Sequence, residues 1–176
     1  MMTRPFAILL SFFLTLISIC AQDAEKDTGK EKVGRIQATL YIGTDEDVAK
    51  LGDKAKKSPL VAAATAKRFR SIEKMNFKHY RTLGKDTQTV FRSYENWVSP
   101  LKPSEEILLS FESRGRTKDG GLRLDLEFWQ QHRKVMKSDP VLYLGKPLFI
   151  LGPKWRGGTL IIAVELVELV DSTNKQ

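Results

Sequence analysis

From Ile36 to Ile42 apolar and polar positions alternate, with Ile36, Ala38, Leu40 and Ile42 on one side and Gln37, Thr39 and Tyr41 on the other. That two-residue period is the mark of a half-buried strand. The pattern returns most clearly where Leu122, Leu124, Leu126 and Phe128 face one way and Arg123, Asp125, Glu127 and Trp129 the other. Residues 77–83, 87–94, 107–112, 135–144, 148–151 and 159–169 are rich in β-branched, aromatic or leucine residues and are separated by Gly, Pro, Asp or Ser. They predict further short strands.

One stretch departs from this period. Ser58-Pro59 offers an N-cap and a preset first helical residue ahead of an alanine-rich run that reaches Met75. At about 100° per residue, Val61, Ala62, Thr65, Phe69 and Ile72 gather on one side of this helix, and Lys67, Arg70, Lys74 and Lys78 form a basic stripe on the other. Thr44, with Asp47 three residues on, resembles a capping box, and Gly52 is placed to stop the short turn between them. Closely spaced strands joined by turn residues imply hairpins and an antiparallel sheet rather than β-α-β units. The expected fold is mainly β (α+β): an antiparallel β-sandwich or curled meander with one covering amphipathic helix.

The N-terminus follows a different rule. A cation at Arg4, an apolar run from Phe6 to Ile19 and small residues at Cys20-Ala21 compose a secretory signal over residues 1–21, with cleavage expected after Ala21 or Cys20. The run falls short of the roughly 20 apolar residues of a membrane span. Cys20 can also be read as a lipoprotein acceptor, although Ile19 stands where that processing wants a small residue. Residues 22–32 hold no apolar side chain larger than Ala and are expected to form a flexible leader. A single domain over 33–170 and a disordered tail over 171–176 complete the organisation.

Processing also bounds the chemistry. The chain has one cysteine, so cleavage beyond Cys20 leaves neither disulfides nor thiolate ligands. Loss of Arg4 leaves 28 cations against 21 acids, +7 in place of +8. A basic balance favours acidic partners, whether lipid head groups, acidic glycans, proteins or nucleic acid. The export signal argues against nucleic acid, and membrane contact is expected only with Cys20 lipidated.

Candidate chemistry is sparse. Residues 152–159 have the spacing of a phosphate-binding loop, but Gly158 stands where its lysine belongs and a strand follows where a helix should. They are expected instead to form a hairpin loop, with Gly157-Gly158 supplying positive φ. Its tip carries Lys154, Trp155 and Arg156, an aromatic between two cations suited to stack on a sugar or base while holding an acidic group. Asp125 and Glu127 lie about 6.6 Å apart along one strand face, a spacing at which two carboxylates can divide acid and base roles in glycoside hydrolysis. The acids at Asp45, Glu46 and Asp47 lack the spacing of a calcium loop. His79 and His132, the two histidines, are far apart in sequence with no second ligand beside either, so no metal or cofactor is expected. No Gly-x-Ser-x-Gly elbow is present.

Residues 77–84 (Phe-Lys-His-Tyr-Arg-Thr-Leu-Gly), together with Gly145-Lys146-Pro147-Leu148 through Gly158-Thr159-Leu160-Ile161-Ile162-Ala163-Val164, resemble small exported bacterial β-rich proteins. The resemblance spans residues 60–169 and implies a layout: a leading strand, a helix ending in a Phe-Lys-x-Tyr-like segment, and a meander closed by a glycine-rich hairpin. It implies no activity and no site residue. The expected function is a non-catalytic, exported domain of the bacterial envelope, periplasmic or secreted, that binds an acidic envelope component or a protein partner, alone or within a surface or secretion assembly. Lys67, Arg70, Lys74, Lys78, Lys154, Trp155 and Arg156 are its candidate binding residues. The alternatives are an envelope glycan hydrolase using Asp125 and Glu127, and a nucleic-acid-binding domain.

Overall fold

Alternation along the chain predicts strands with one buried face, and such strands need a second apolar face to cover them. The computed structural model, which describes residues 30–93, 96–98, 100 and 105–170, meets this need with two antiparallel sheets. The first has the order β2-β1-β9-β8, formed by β1 (Lys32–Thr44), β2 (His79–Phe91), β8 (Leu148–Trp155) and β9 (Gly158–Leu169). The second has the order β3-β4-β5-β6, from β3 (Asn96–Val98), β4 (Ile107–Arg116), β5 (Leu122–Gln130) and β6 (Arg133–Ser138), with β7 (Val141–Leu142) also paired to β5. Ile36, Ala38, Leu40 and Ile42 of β1 share one buried cluster with Leu122, Leu124, Leu126 and Phe128 of β5. Both alternating faces expected to be apolar thus meet in the sandwich interior.

The helix is shorter than its sequence signal. Ser58-Pro59 does not open it, because Leu60 bridges Arg81 and the Pro59 carbonyl accepts from the Thr82 N–H at 2.9 Å. The segment is held on the edge of β2, and helix α2 begins only at Ala63 and ends at Arg70. Ser71 turns its hydroxyl back to the Arg68 carbonyl at 2.7 Å, Ile72 is extended, and residues 73–75 form a single 3₁₀ turn. Ala62, expected on the buried face, is exposed, and Lys74 and Lys78 lie beyond the helix on the connection to β2.

An eight-residue helix is marginal by itself, since free helices shorter than about 12–15 residues barely form in water. Its anchor is Phe69, fully buried on the outer face of the first sheet. The ring lies 5.4 Å from Tyr80 of β2, 5.2 Å from Tyr41 of β1 and 5.1 Å from Phe149 of β8, and it joins Ile161 of β9 in a second buried cluster. One helix residue thus touches the row of side chains that crosses all four strands.

Three further differences have simple causes. The segments expected over 77–83 and 87–94 are one strand, β2, which runs through Gly84-Lys85-Asp86 by pairing with Leu40, Thr39 and Ala38 and absorbs the mismatch in a bulge at Leu83. The run over 135–144 breaks into β6 and β7 at Pro140, whose carbonyl accepts from the Leu124 N–H at 3.0 Å. The last residues of the expected leader are ordered into the sheet: Glu31 accepts from the Arg92 guanidinium and backbone, and Lys32 begins β1. The expected signal over 1–21, the leader up to Gly29 and the tail over 171–176 lie outside the described residues. Asp47, not Thr44, caps the 3₁₀ turn Val48–Leu51 that leads into α1 (Gly52–Lys56) by accepting from the Ala49 N–H at 2.9 Å.

Phe69→Ala is expected to cost about 3–5 kcal/mol, as for a fully buried aromatic replaced by a cavity. Urea unfolding followed by circular dichroism measures this. A loss below about 1 kcal/mol would show that α2 does not depend on this ring.

Candidate functional site

The outward face of β5 shows how the sheet handles its charges. Antiparallel pairing sets Asp125 against Glu112 of β4, and Glu127 against Lys137 of β6. Arg114 hydrogen-bonds the Asp125 carboxylate and lies 3.4 Å from Glu112. Lys134 reaches Glu127 at 2.5 Å, Trp129 Nε1 donates to the same carboxylate at 3.1 Å, and Lys137 sits 3.6 Å from Asp125 and 3.7 Å from Glu127. The hydrogen bond from Arg114, foremost, holds the Asp125 carboxyl below its ordinary range, and that from Lys134 does the same for Glu127. Glycoside hydrolysis needs one of its two acids kept protonated by a raised pKa. Here both are driven towards the ionised form, so the pair laces three strands together and supplies no proton donor.

The tip carrying Lys154, Trp155 and Arg156 differs from a free loop. Strand β8 continues to Trp155, which pairs with Gly158, leaving a two-residue turn. Positive φ falls on Arg156 (45°) and Gly157 (82°), the geometry of a tight hairpin, and not on Gly158 as expected. Gly158 serves another purpose: a Cβ there would come within 2.6 Å of Ile42 Cγ1 and 2.9 Å of the Gly43 carbonyl oxygen. The turn is docked on the β1 exit, since Thr44 Oγ1 donates to the Gly157 carbonyl at 3.1 Å. Trp155 is half-buried against the sandwich core, and the Arg156 guanidinium lies 4.6 Å from its ring centroid. Lys154 and Arg156 are exposed, but the aromatic between them is committed to the domain.

The third candidate region is the edge of β2 beneath α2. A cavity of about 250 Å³ opens there, and Arg70 of α2, Lys78 of the connection, and His79 and Arg81 of β2 all line it. At the start of β2 three successive residues line it: His79 and Arg81 pair with Thr44 and Ile42 of β1, and Tyr80 between them packs against Phe69 of the helix. Tyr80 is locked by its hydroxyl, which accepts from the Phe77 N–H at 2.8 Å and donates to the Met75 carbonyl at 2.9 Å. The Arg70 guanidinium lies 5.4 Å from the Tyr80 ring centroid and donates a long 3.4 Å hydrogen bond to the Lys78 carbonyl. The Asp45 carboxylate is nearby, taken up by the Lys78 backbone N–H at 2.9 Å.

Among the described residues none of Arg70, Lys78, His79 and Arg81 forms an ion pair, in contrast to the laced face of β5. Arg81 Nε is moreover the one buried side-chain nitrogen or oxygen among them without a hydrogen-bond partner. An unsatisfied buried donor costs about 1–3 kcal/mol, and more when charged. Of the expected basic stripe, Arg70 and Lys78 reach this cavity, while Lys67 and Lys74 lie exposed outside it. Sequence reasoning missed Arg81 and weighed His79 only as a metal ligand. The available signal was their spacing of two on an edge strand that follows a basic helix. Among the described residues no group of His, Cys, Asp or Glu gathers in metal-binding geometry, and no helix is long and apolar enough to cross a membrane.

Two expectations follow from these geometries. Trp155→Ala should destabilise the domain by about 1–3 kcal/mol through lost packing, measured by urea unfolding; an unchanged midpoint would return Trp155 to the surface. The lowered pKa values of Asp125 and Glu127 mean that the unfolded chain takes up protons before the folded one does. Their contribution is complete above the usual carboxylate range and is lost as pH falls through it towards the folded values. Thermal melts from neutral to acid pH should therefore drop in that window, and less steeply in Asp125→Asn with Glu127→Gln. Equal slopes would deny the two carboxylates this role.

Compared with known proteins, the chain matches no family model, no curated protein and no solved structure. A sandwich with a helix on one face hosts many functions, so the chemistry of the site must carry the functional conclusion.

Proposed function

We propose that this chain is an exported, non-catalytic binding domain of the bacterial envelope, and that its basic face along α2 and the start of β2 receives an acidic component. The observation that carries this reading is the uneven neutralisation of charge. On the second sheet Asp125, Glu127, Arg114, Lys134 and Lys137 neutralise one another. Around α2, by contrast, Lys67, Arg70, Lys74, Lys78 and Arg81 form no ion pair among the described residues. Charges left unpaired over one face raise the local potential and favour an anionic partner. The hydrolase alternative receives no comparable support, because its two candidate acids are ionised and ion-paired.

The reading is tested by retention of the exported protein on phosphatidylglycerol vesicles and on a sulfated-glycan column. Each cation near an anionic surface contributes about 1 kcal/mol, so Lys67→Glu combined with Lys74→Glu should weaken retention roughly tenfold or more. Retention should also fall as salt rises. Binding to neither matrix, or binding indifferent to salt and charge reversal, would remove the basis for the proposal. For the export part, mass spectrometry of the native N-terminus should find Ala21 or Gln22 first, or an acylated Cys20 if the domain is tethered. A native chain still beginning at Met1 would contradict export.

A further inference from the structure

We infer that the cavity between α2 and β2 is a binding site for a phosphoryl group carried on an apolar body. This deepens the proposal that the basic face is the binding face, and rests on it. Two features of the cavity point to the ligand. Its lining includes two arginines, Arg70 and Arg81, with Lys78 and His79. Arginine stays charged at any working pH, and its planar fork matches the oxygens of an oxyanion. Two arginines and a lysine suit a dianion better than a single carboxylate. The buried Arg81 Nε has no acceptor among the described residues, so the domain itself leaves this guanidinium incompletely bonded.

The other wall is apolar. Val48, Leu60 and Val61 line it, and Leu60 is 73% exposed, the most exposed of the large apolar side chains described. Its backbone is nonetheless fixed, by the bridge to Arg81 and the Pro59 carbonyl bond to Thr82. An exposed leucine held rigidly beside a cluster of cations is a surface for the apolar part of an amphiphile. The volume agrees. At about 250 Å³ the cavity falls below the roughly 300–1,000 Å³ of sites that enclose a whole drug-sized ligand. It takes a head group and the first atoms attached to it, leaving the rest to pass over Leu60.

The histidines provide the assay. His79 lines the cavity, whereas His132, the other histidine, lies on the turn between β5 and β6 of the second sheet. Imidazole NMR resonances of the exported protein are titrated with phenyl phosphate, inorganic phosphate and benzoate. Saturable movement of His79 with His132 unmoved is expected, with phenyl phosphate binding about tenfold or more tighter than the other two, since only it satisfies both walls. Arg70→Gln should weaken phenyl phosphate about tenfold, and Arg81→Gln should abolish its saturable effect. If Arg81→Gln does not fold, Lys78→Gln, on an exposed connection, replaces it with an expected loss of about tenfold. Lys154→Gln, outside the cavity, should change nothing.

A silent His79, or both histidines drifting together without saturation, overturns the site. Inorganic phosphate binding as tightly as phenyl phosphate overturns the apolar half, and benzoate doing so overturns the phosphoryl assignment. Phosphatidic acid vesicles that displace phenyl phosphate identify a lipid head group as the source. Vesicles that fail to displace it identify a soluble phosphate ester, and the site stands in either case. A saturable His79 shift in a protein that no anionic matrix retains supports the cavity and overturns the wider surface reading. Retention on the matrices with a silent His79 does the reverse.

Discussion

Phe69 is where the outer layer of this domain is held. The helix that carries it has eight residues and no side-chain cap at its N-terminus, so its own backbone bonds do not account for its presence. What fixes it is burial of one aromatic ring on Tyr80, Tyr41, Ile161 and Phe149, a row contributed by β2, β1, β9 and β8. That row demands an outer sheet face as apolar as the inner one. Strand β9 meets the demand with unbroken burial from Gly158 to Val164, its even positions in the sandwich core and Ile161 under the helix. Because Arg70 follows Phe69 directly, the residue that anchors the helix also fixes where the next side chain emerges, over the ring of Tyr80, which lines the cavity with it.

The two sheets treat charge in opposite ways. On the second sheet the outward positions of β4, β5 and β6 alternate in sign across strands, as in Arg114 to Asp125 to Lys137, and cross-strand pairing consumes them. Pairs of this kind on exposed faces contribute little each, but they neutralise the charges that take part in them. Around α2 the cations form no ion pair among the described residues, and the nearby Asp45 carboxylate is engaged by a backbone N–H. Part of the excess of 29 cations over 21 acids thus lies around α2. Net charge alone favours acidic partners in general, whereas its placement beside a cavity makes the preference local and testable.

The sandwich was legible in the sequence because period-two patterning is a property of each strand alone. Leu122, Leu124, Leu126 and Phe128 face inward and Arg123, Asp125, Glu127 and Trp129 outward, as alternation predicts. What failed were readings in which a tertiary contact overrides a local signal. Ser58-Pro59 is a strong helix start by itself, yet the free edge of β2 captures Pro59 and Leu60 first. Gly84-Lys85-Asp86 reads as a break, yet long pairing with β1 carries the strand through it. Gly158 reads as a turn glycine, and it is a close-approach glycine against Ile42. The candidate site was half legible for the same reason. Arg70 and Lys78 follow from helical spacing extended past the true end of the helix, but their meeting with Arg81 depends on how an edge strand passes under α2.

The capture of Leu60 links fold and site in one step. An exposed strand edge is a hazard, because its unpaired backbone groups invite pairing with another chain. The Pro59–Leu60 segment covers the start of β2, and in doing so it lifts the chain across the sheet edge before α2 begins. The space left between that crossing, the helix and the strand is the cavity. Had the helix begun at Pro59, as its local sequence favours, the chain could not have paired with the β2 edge and Leu60 would have lain on a helix turn. The shortening of α2 and the gathering of cations around Arg81 therefore have one cause, and any ligand held there also bears on the segment that protects the edge. Binding and edge protection are coupled through Leu60, so a ligand that selects the bridged arrangement stabilises the folded domain in proportion to its occupancy.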